Sequence, residues 1–100
     1  MPKKPNDEFI DYLFDAILSL KDKEECYTFF EDICTVNEIH AIAQRLQVAK
    51  LLSEKRTYTE IEAATKASTA TISRINKCLV YGADGYKRVL ERLQEKRDEE

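Results

Sequence analysis

Apolar side chains recur along this chain at three- and four-residue intervals, the spacing of one face of an amphipathic helix. Phe9, Ile10, Leu13, Phe14, Ile17 and Leu18 form a first broad stripe, and Cys26, Tyr27, Phe29, Phe30 and Ile33 a second. Ile39, Ile42, Ala43, Leu46, Ala49 and Leu52 mark the inner side of a longer helix over about 36–53. Ile61 anchors a short fourth helix, Ile72, Ile75 and Leu79 a fifth over 69–79, and Tyr86, Val89, Leu90 and Leu93 a last one. The only glycines are Gly82 and Gly85, and the only prolines Pro2 and Pro5, so nothing from Asn6 to Tyr81 forbids helix. No run of alternating β-branched residues suggests a strand. The expected fold class is all-α.

Polar residues punctuate the stripes where helices should begin. Residues 1–5 are expected to be a flexible basic tail, with Asn6 capping the first helix and acids following at its positive end. Asp22 with Glu25 and Thr35 with Glu38 have capping-box spacing. Before the fourth helix, Thr57 with Glu60 and Thr59 with Glu62 fit equally well, and Ser68 is placed to cap the fifth. Residues 81–85 read as a turn, while 94–100 are all polar or charged and are expected to fray. A chain of 100 residues without internal repeats predicts one domain, 1–100. The two aromatic stripes within 7–34 are too wide for a small monomer to cover, so these are expected to be dimerisation helices sharing a core between two copies.

Composition narrows the chemistry. Three cysteines, Cys26, Cys34 and Cys78, form an odd set without CxxC spacing, and His40 is the only histidine, which leaves no metal-ligand cluster. Buried, reduced thiols are expected. No signal peptide or membrane-length apolar run occurs, so a cytoplasmic protein is expected. With no Gly-rich phosphate loop and one histidine, an enzyme is the weakest reading, and no cofactor is expected.

The net charge of −3 at first argues against a nucleic-acid partner. Its distribution weakens that objection. Residues 1–34 carry 4 basic and 9 acidic side chains, 35–80 carry 7 and 4, and 81–100 carry 5 and 6. Between Glu62 and Asp84 there is no acid, while Lys66, Arg74 and Lys77 are present. One such face can meet phosphates whatever the total.

That acid-poor interval coincides with the most informative segment, 57–79: two short helices joined at Lys66-Ala67-Ser68, the layout of a helix-turn-helix. At about 100° per residue, Ile72, Ile75 and Leu79 share one side of the second helix. Ala70, Ser73, Arg74 and Lys77 lie opposite, with Thr69 and Thr71 on the flanks. Small and hydroxyl-bearing side chains can approach base edges in a major groove, where methyls meet thymine and hydroxyls bond bases or phosphates. Lys66 and Lys77 suit phosphates, as do Tyr58 and Thr59 at the start of the preceding helix. A solvated surface helix is the plain alternative, but so many hydroxyls give mediocre helix propensity. A sequence-specific binder of double-stranded DNA is the leading expectation; a dimeric interaction module without DNA affinity is the alternative.

Three stretches, FFEDICTVNEIHAIAQRLQVAKLL, YTEIEAATKASTATISRINKCL and YGADGYKRVLERL, resemble the tryptophan-repressor family, and closely its YerC/YecD branch. The resemblance implies a six-helix, intertwined homodimer that binds operator DNA, and a transcriptional regulator, expected to be a repressor. It also places a possible effector pocket here: the family's two indole-sandwiching arginines fall on Arg45 and Arg74, and its pocket threonine on Thr35. Two departures stand out. Ile75 replaces a family glycine beside the second arginine and is expected to fill indole space, so tryptophan is not expected as the effector. Lys66 occupies a turn position where glycine is common, and lysine takes positive φ only at a cost.

Overall fold

The computed structural model describes residues 7–100, so the expected basic tail at 1–5 and the Asn6 cap lie outside the described residues. Six helices follow in order: α1 Asp7–Leu18, α2 Lys23–Ile33, α3 Val36–Ser53, α4 Tyr58–Thr65, α5 Thr69–Tyr81 and α6 Gly85–Glu99. The fold is all-α. The chain divides into two compact units after Ile39.

In the first unit, helix starts are set by side-chain caps. The Glu25 backbone N–H donates to Asp22 Oδ1 at 2.9 Å, while the Glu25 carboxylate accepts from the Lys21 N–H rather than from that of Asp22. At the head of α3, Thr35 N–H donates to Glu38 Oε1 at 2.8 Å and Glu38 N–H to Thr35 Oγ1 at 3.1 Å, a reciprocal capping box. Phe29 and Phe30 pack edge to face, 5.5 Å between ring centres. No residue of α1 or α2 is buried, and Phe9 and Leu18 are about four-fifths exposed, at 78% and 82%.

The second unit holds the buried core: Val48, Ala49, Ile61, Ala67, Ile72 and Ile75. Leu51, Leu52, Tyr58, Leu79, Tyr86 and Leu90 pack around it. The inner side of α3 matches the expectation only in part. Leu52 packs against the core as expected, but Ile42, Ala43 and Leu46 are exposed, and burial on α3 falls on the expected Ala49 and on Val48, which is outside the expected set. Those two lie in the C-terminal half of α3, and the rest of the buried cluster comes from α4, α5 and the turn between them. The cysteines also depart from expectation. Cys26 and Cys78 are exposed and Cys34 is intermediate, all as free thiols. At α5 the cause is the burial of Ile72 and Ile75 with Leu79 packed beside them, which leaves Cys78 on the outside.

At the ends of the second unit, Gly82 closes α5 by donating its N–H to Cys78 O at 2.9 Å. A Cβ at Gly82 would come within 2.3 Å of that carbonyl oxygen, so the approach needs glycine. Helix α6 continues through the stretch expected to fray, as far as Glu99. Lys96 and Arg97 in its last turn complement the negative helix end, and Gln94 donates to Asp98 one turn on.

Candidate nucleic-acid interface

The helix-turn-helix is assembled from local chemistry. Thr57, not Thr59, caps α4: Glu60 N–H donates to Thr57 Oγ1 at 3.1 Å, and Thr57 N–H donates to Glu60 Oε1 at 3.0 Å. The Thr57 N–H and hydroxyl both donate to Glu60 Oε1 and hold that carboxyl below the ordinary glutamate range, the backbone N–H contributing most, with Arg56 also favouring the charged form. Glu38 is lowered in the same way by the Thr35 N–H and hydroxyl.

The turn ends α4 through Lys66, whose φ of 64° and ψ of 11° are left-handed, while its N–H donates to Glu62 O at 2.9 Å. The expectation of a strained turn lysine therefore holds in backbone terms. Thr65 secures the corner twice over, donating from its hydroxyl to Ile61 O at 2.8 Å and accepting from Ala67 N–H at 3.2 Å. Gln44 of α3 donates to Thr65 O at 3.0 Å and ties the corner to the long helix. Ser68 then caps α5, its Oγ accepting from Thr71 N–H at 3.1 Å.

This scaffold decides which side chains face outward. Ile61, Ile72 and Ile75 turn into the core, and Ala67 in the turn is buried at 5% exposure, small enough to let α4 and α5 approach. On the opposite side of α5, Thr69, Ala70, Ser73, Arg74 and Lys77 are all exposed. Lys66 and Thr59 are exposed as well. Two expected members are less open. Thr71 is half-buried and its hydroxyl oxygen accepts from Ser68 Oγ at 3.1 Å. Tyr58 is half-buried and packs against the core. Thr69 donates its hydroxyl to the Glu62 carboxylate of α4. Glu62 was absent from the residues expected at this surface. The signal was its distance of seven from Thr69, which joins two elements only once the turn is known.

The residues of the possible effector pocket are distributed as follows. Thr35 lies in the first unit, where its hydroxyl oxygen serves the α3 cap. Arg45 on α3 and Arg74 on α5 lie in the second, both exposed. Ile75 is 3% exposed and belongs to the core cluster. Its side chain is committed to the packing of α5. Among the described residues there is no group of His, Cys, Asp and Glu that could hold a metal ion, and no helix is long and apolar enough to cross a membrane.

An all-α chain of six helices, with a capped helix-turn-helix presenting a hydroxyl-rich, cationic outer face, defines a class of proteins built around a helix-turn-helix. Within that class the chain belongs to the Trp repressor protein family, whose profile matches residues 8–94. It is 59% identical over 86 residues to the uncharacterized protein YerC of Bacillus subtilis strain 168, covering 86% of this chain and 83% of that one. It is also similar to the crystal structure of a TrpR like protein from Eubacterium eligens, at 60% identity and a TM-score of 0.85, covering 87% of this chain and 90% of that one. A solved structure from Staphylococcus aureus matches at 48% identity and a TM-score of 0.83, over 92% and 96% of the two chains. Family and fold together suggest a DNA-binding regulator.

Proposed function

We propose that this protein is a sequence-specific, DNA-binding transcriptional regulator, a cytoplasmic repressor that inserts α5 into the major groove of double-stranded DNA as a homodimer. The observation that carries the reading is the division of α5 into two faces. Ile72 and Ile75 are buried, while Ala70, Ser73, Arg74 and Lys77 stand exposed on an element free of acidic residues. Ala70 and Ser73 are short enough to let the helix backbone come close to base edges. Arg74, Lys77 and Lys66 neutralise phosphates and set register. Thr59 and the outer edge of Tyr58 extend the backbone contacts at the start of α4, and Thr69 and Thr71 contribute their methyl groups at the start of α5.

The homodimer follows from the first unit. Helices α1 and α2 expose Phe9, Tyr12, Phe14, Leu18, Tyr27 and Ile33, far more apolar surface than a soluble monomer ordinarily shows. A second copy supplies the cover. Two recognition helices then read two half-sites of a pseudo-palindromic operator.

Free tryptophan is not the effector in this reading. Ile75 is spent on the core and the Thr35 hydroxyl oxygen on the α3 cap, so two of the four pocket positions serve stability. Either the dimer binds DNA without a ligand, or a different small anion engages Arg45 and Arg74. Calorimetry is expected to show no tryptophan binding at micromolar concentration.

The reading is tested by binding to a genomic fragment pool across a salt series. Specific retention with a steep salt dependence is expected. Lys77→Ala should weaken all duplexes similarly and reduce the salt slope by about one, whereas Ser73→Ala should change preference among sequences. Salt-insensitive, negligible retention would favour the alternative of a dimeric interaction module, to which the net charge of −3 points.

A further inference from the structure

The outer surface of the helix-turn-helix carries one anion at a place where phosphate affinity alone would exclude it. Glu62 sits in the last turn of α4, half-buried, and its carboxylate accepts the hydroxyl hydrogen of Thr69, the first residue of α5. The bond spans the turn and joins the two helices seven residues apart. The N-terminal residues of a recognition helix are those that reach base edges. Glu62 therefore stands at the reading end of α5, with Oε1 bonded to Thr69 and Oε2 in no hydrogen bond or ion pair among the described residues.

We infer that Glu62, held by Thr69, is a specificity-determining residue that reads the amino group of a cytosine in each half-site; the inference rests on the DNA-binding reading above. A carboxylate has only acceptor oxygens, so in the major groove it can face only a donor. Two donors are available there, cytosine N4 and adenine N6. Adenine carries its N7 acceptor beside N6, which repels a carboxylate, whereas the neighbour of cytosine N4 on the same base is a C–H. Oε2 is the acceptor for cytosine N4–H. The hydroxyl of Thr69 occupies Oε1 and fixes the carboxylate plane, and the Thr69 methyl is left to touch the adjoining base. The same charge repels phosphates, so Glu62 lowers affinity for unrelated duplexes while rewarding the correct pair.

A purely structural role is the competing account, since a carboxylate at a helix N-terminus also stabilises that helix. Base preference separates the two. Wild-type protein, Glu62→Gln and Thr69→Val are each equilibrated with a randomised duplex pool, and bound sequences are counted beside a thermal melt of each variant. Wild type is expected to require cytosine at one position per half-site. Glu62→Gln should lose that requirement by about tenfold, move toward adenine, which glutamine reads through N6 and N7, and bind unrelated duplex more tightly. Thr69→Val should relax the same position while leaving the others unchanged. If Glu62→Gln melts differently but selects the wild-type sequence, the assignment is overturned and Glu62 is a cap. If wild-type protein selects no sequence at all, the DNA-binding reading itself fails, and this inference with it.

Discussion

Replacing Ile72 by alanine tests the premise that the outer face of α5 is presented by its inner one. Ile72 is fully buried at 0% exposure, one of only six buried residues in the described chain, and with Ile61 and Val48 one of the three largest wholly enclosed side chains. Truncation of a buried isoleucine to alanine costs about 2–5 kcal/mol, the transfer free energy of the lost carbons plus the cavity they leave. Here the neighbours Ile61, Ile75 and Ala67 come from α4, α5 and the intervening turn, so collapse onto the gap would require both helices to shift. A cost of about 3 kcal/mol is expected on that ground, against a total stability on the order of 5–15 kcal/mol for a domain of this kind. At about 4–8 °C per kcal/mol for a chain this short, the melting temperature should fall by roughly 12–24 °C.

Ser73→Ala is the matched control one residue away. Ser73 is exposed, and substitution there should stay within about 0.5 kcal/mol of wild type. Both variants are melted at one fixed protein concentration, because a dimer's transition moves with concentration. The two should separate cleanly: Ile72→Ala loses stability but keeps the wild-type sequence preference in its folded fraction, and Ser73→Ala does the reverse. Equal melting temperatures for the two variants would refute the reasoning, for the seat of α5 would then lie elsewhere than in this cluster.

Lys66→Gly should relieve the left-handed lysine at the turn, where φ is 64°. The relief of about 1–2 kcal/mol, less the extra chain entropy of glycine, predicts a melting temperature higher by a few degrees together with weaker DNA binding; lower stability would contradict it. Acid should act through the capping boxes. Glu60 titrates lower folded than unfolded, so its contribution is complete above the ordinary value of 4.5 and is lost as pH falls through the lowered one. Glu60→Ala should therefore melt less pH-dependently over that acid range, and an acid limb as steep as wild type would exclude the mechanism. Phe29→Asp places an uncompensated charge among the aromatic residues of α2, so it should abolish the dimer in sedimentation and lower the melting temperature. A wild-type protein of monomeric mass, melting independently of concentration, would sink the dimer premise.

What could be read in advance follows from how far apart the interacting residues lie. The boundaries of α3 and the caps at Thr35 and Ser68 are legible because each rests on partners three residues apart, with Glu38 and Thr71 completing the hydrogen bonds. The division of α5 is equally local, since helical period alone sets Ile72 and Ile75 opposite Ser73 and Lys77. The choice between Thr57 and Thr59 is not legible, because both offer a hydroxyl with a glutamate three residues on. The structure decides it by starting α4 at Tyr58, and Tyr58 packs its ring on the core.

The inner side of α3 is legible only in part, for a related reason. At about 100° per residue Ile42, Ala43, Leu46 and Ala49 share one side of the helix and Val48 lies apart, so periodicity picks out Ala49 but not Val48. Only the arrival of α4 and α5 selects Val48 and leaves Ile42 and Leu46 outside the buried cluster. Glu62 is the extreme case: in the sequence it offers only a capping partner for Thr59, which α4 does not use. It acquires meaning when the left-handed Lys66 turns the chain and delivers Thr69 to its carboxylate. Residues whose roles depend on the turn are thus hidden in proportion to the number of backbone angles between them. The N-terminal end of α5 is where that hidden fraction is largest.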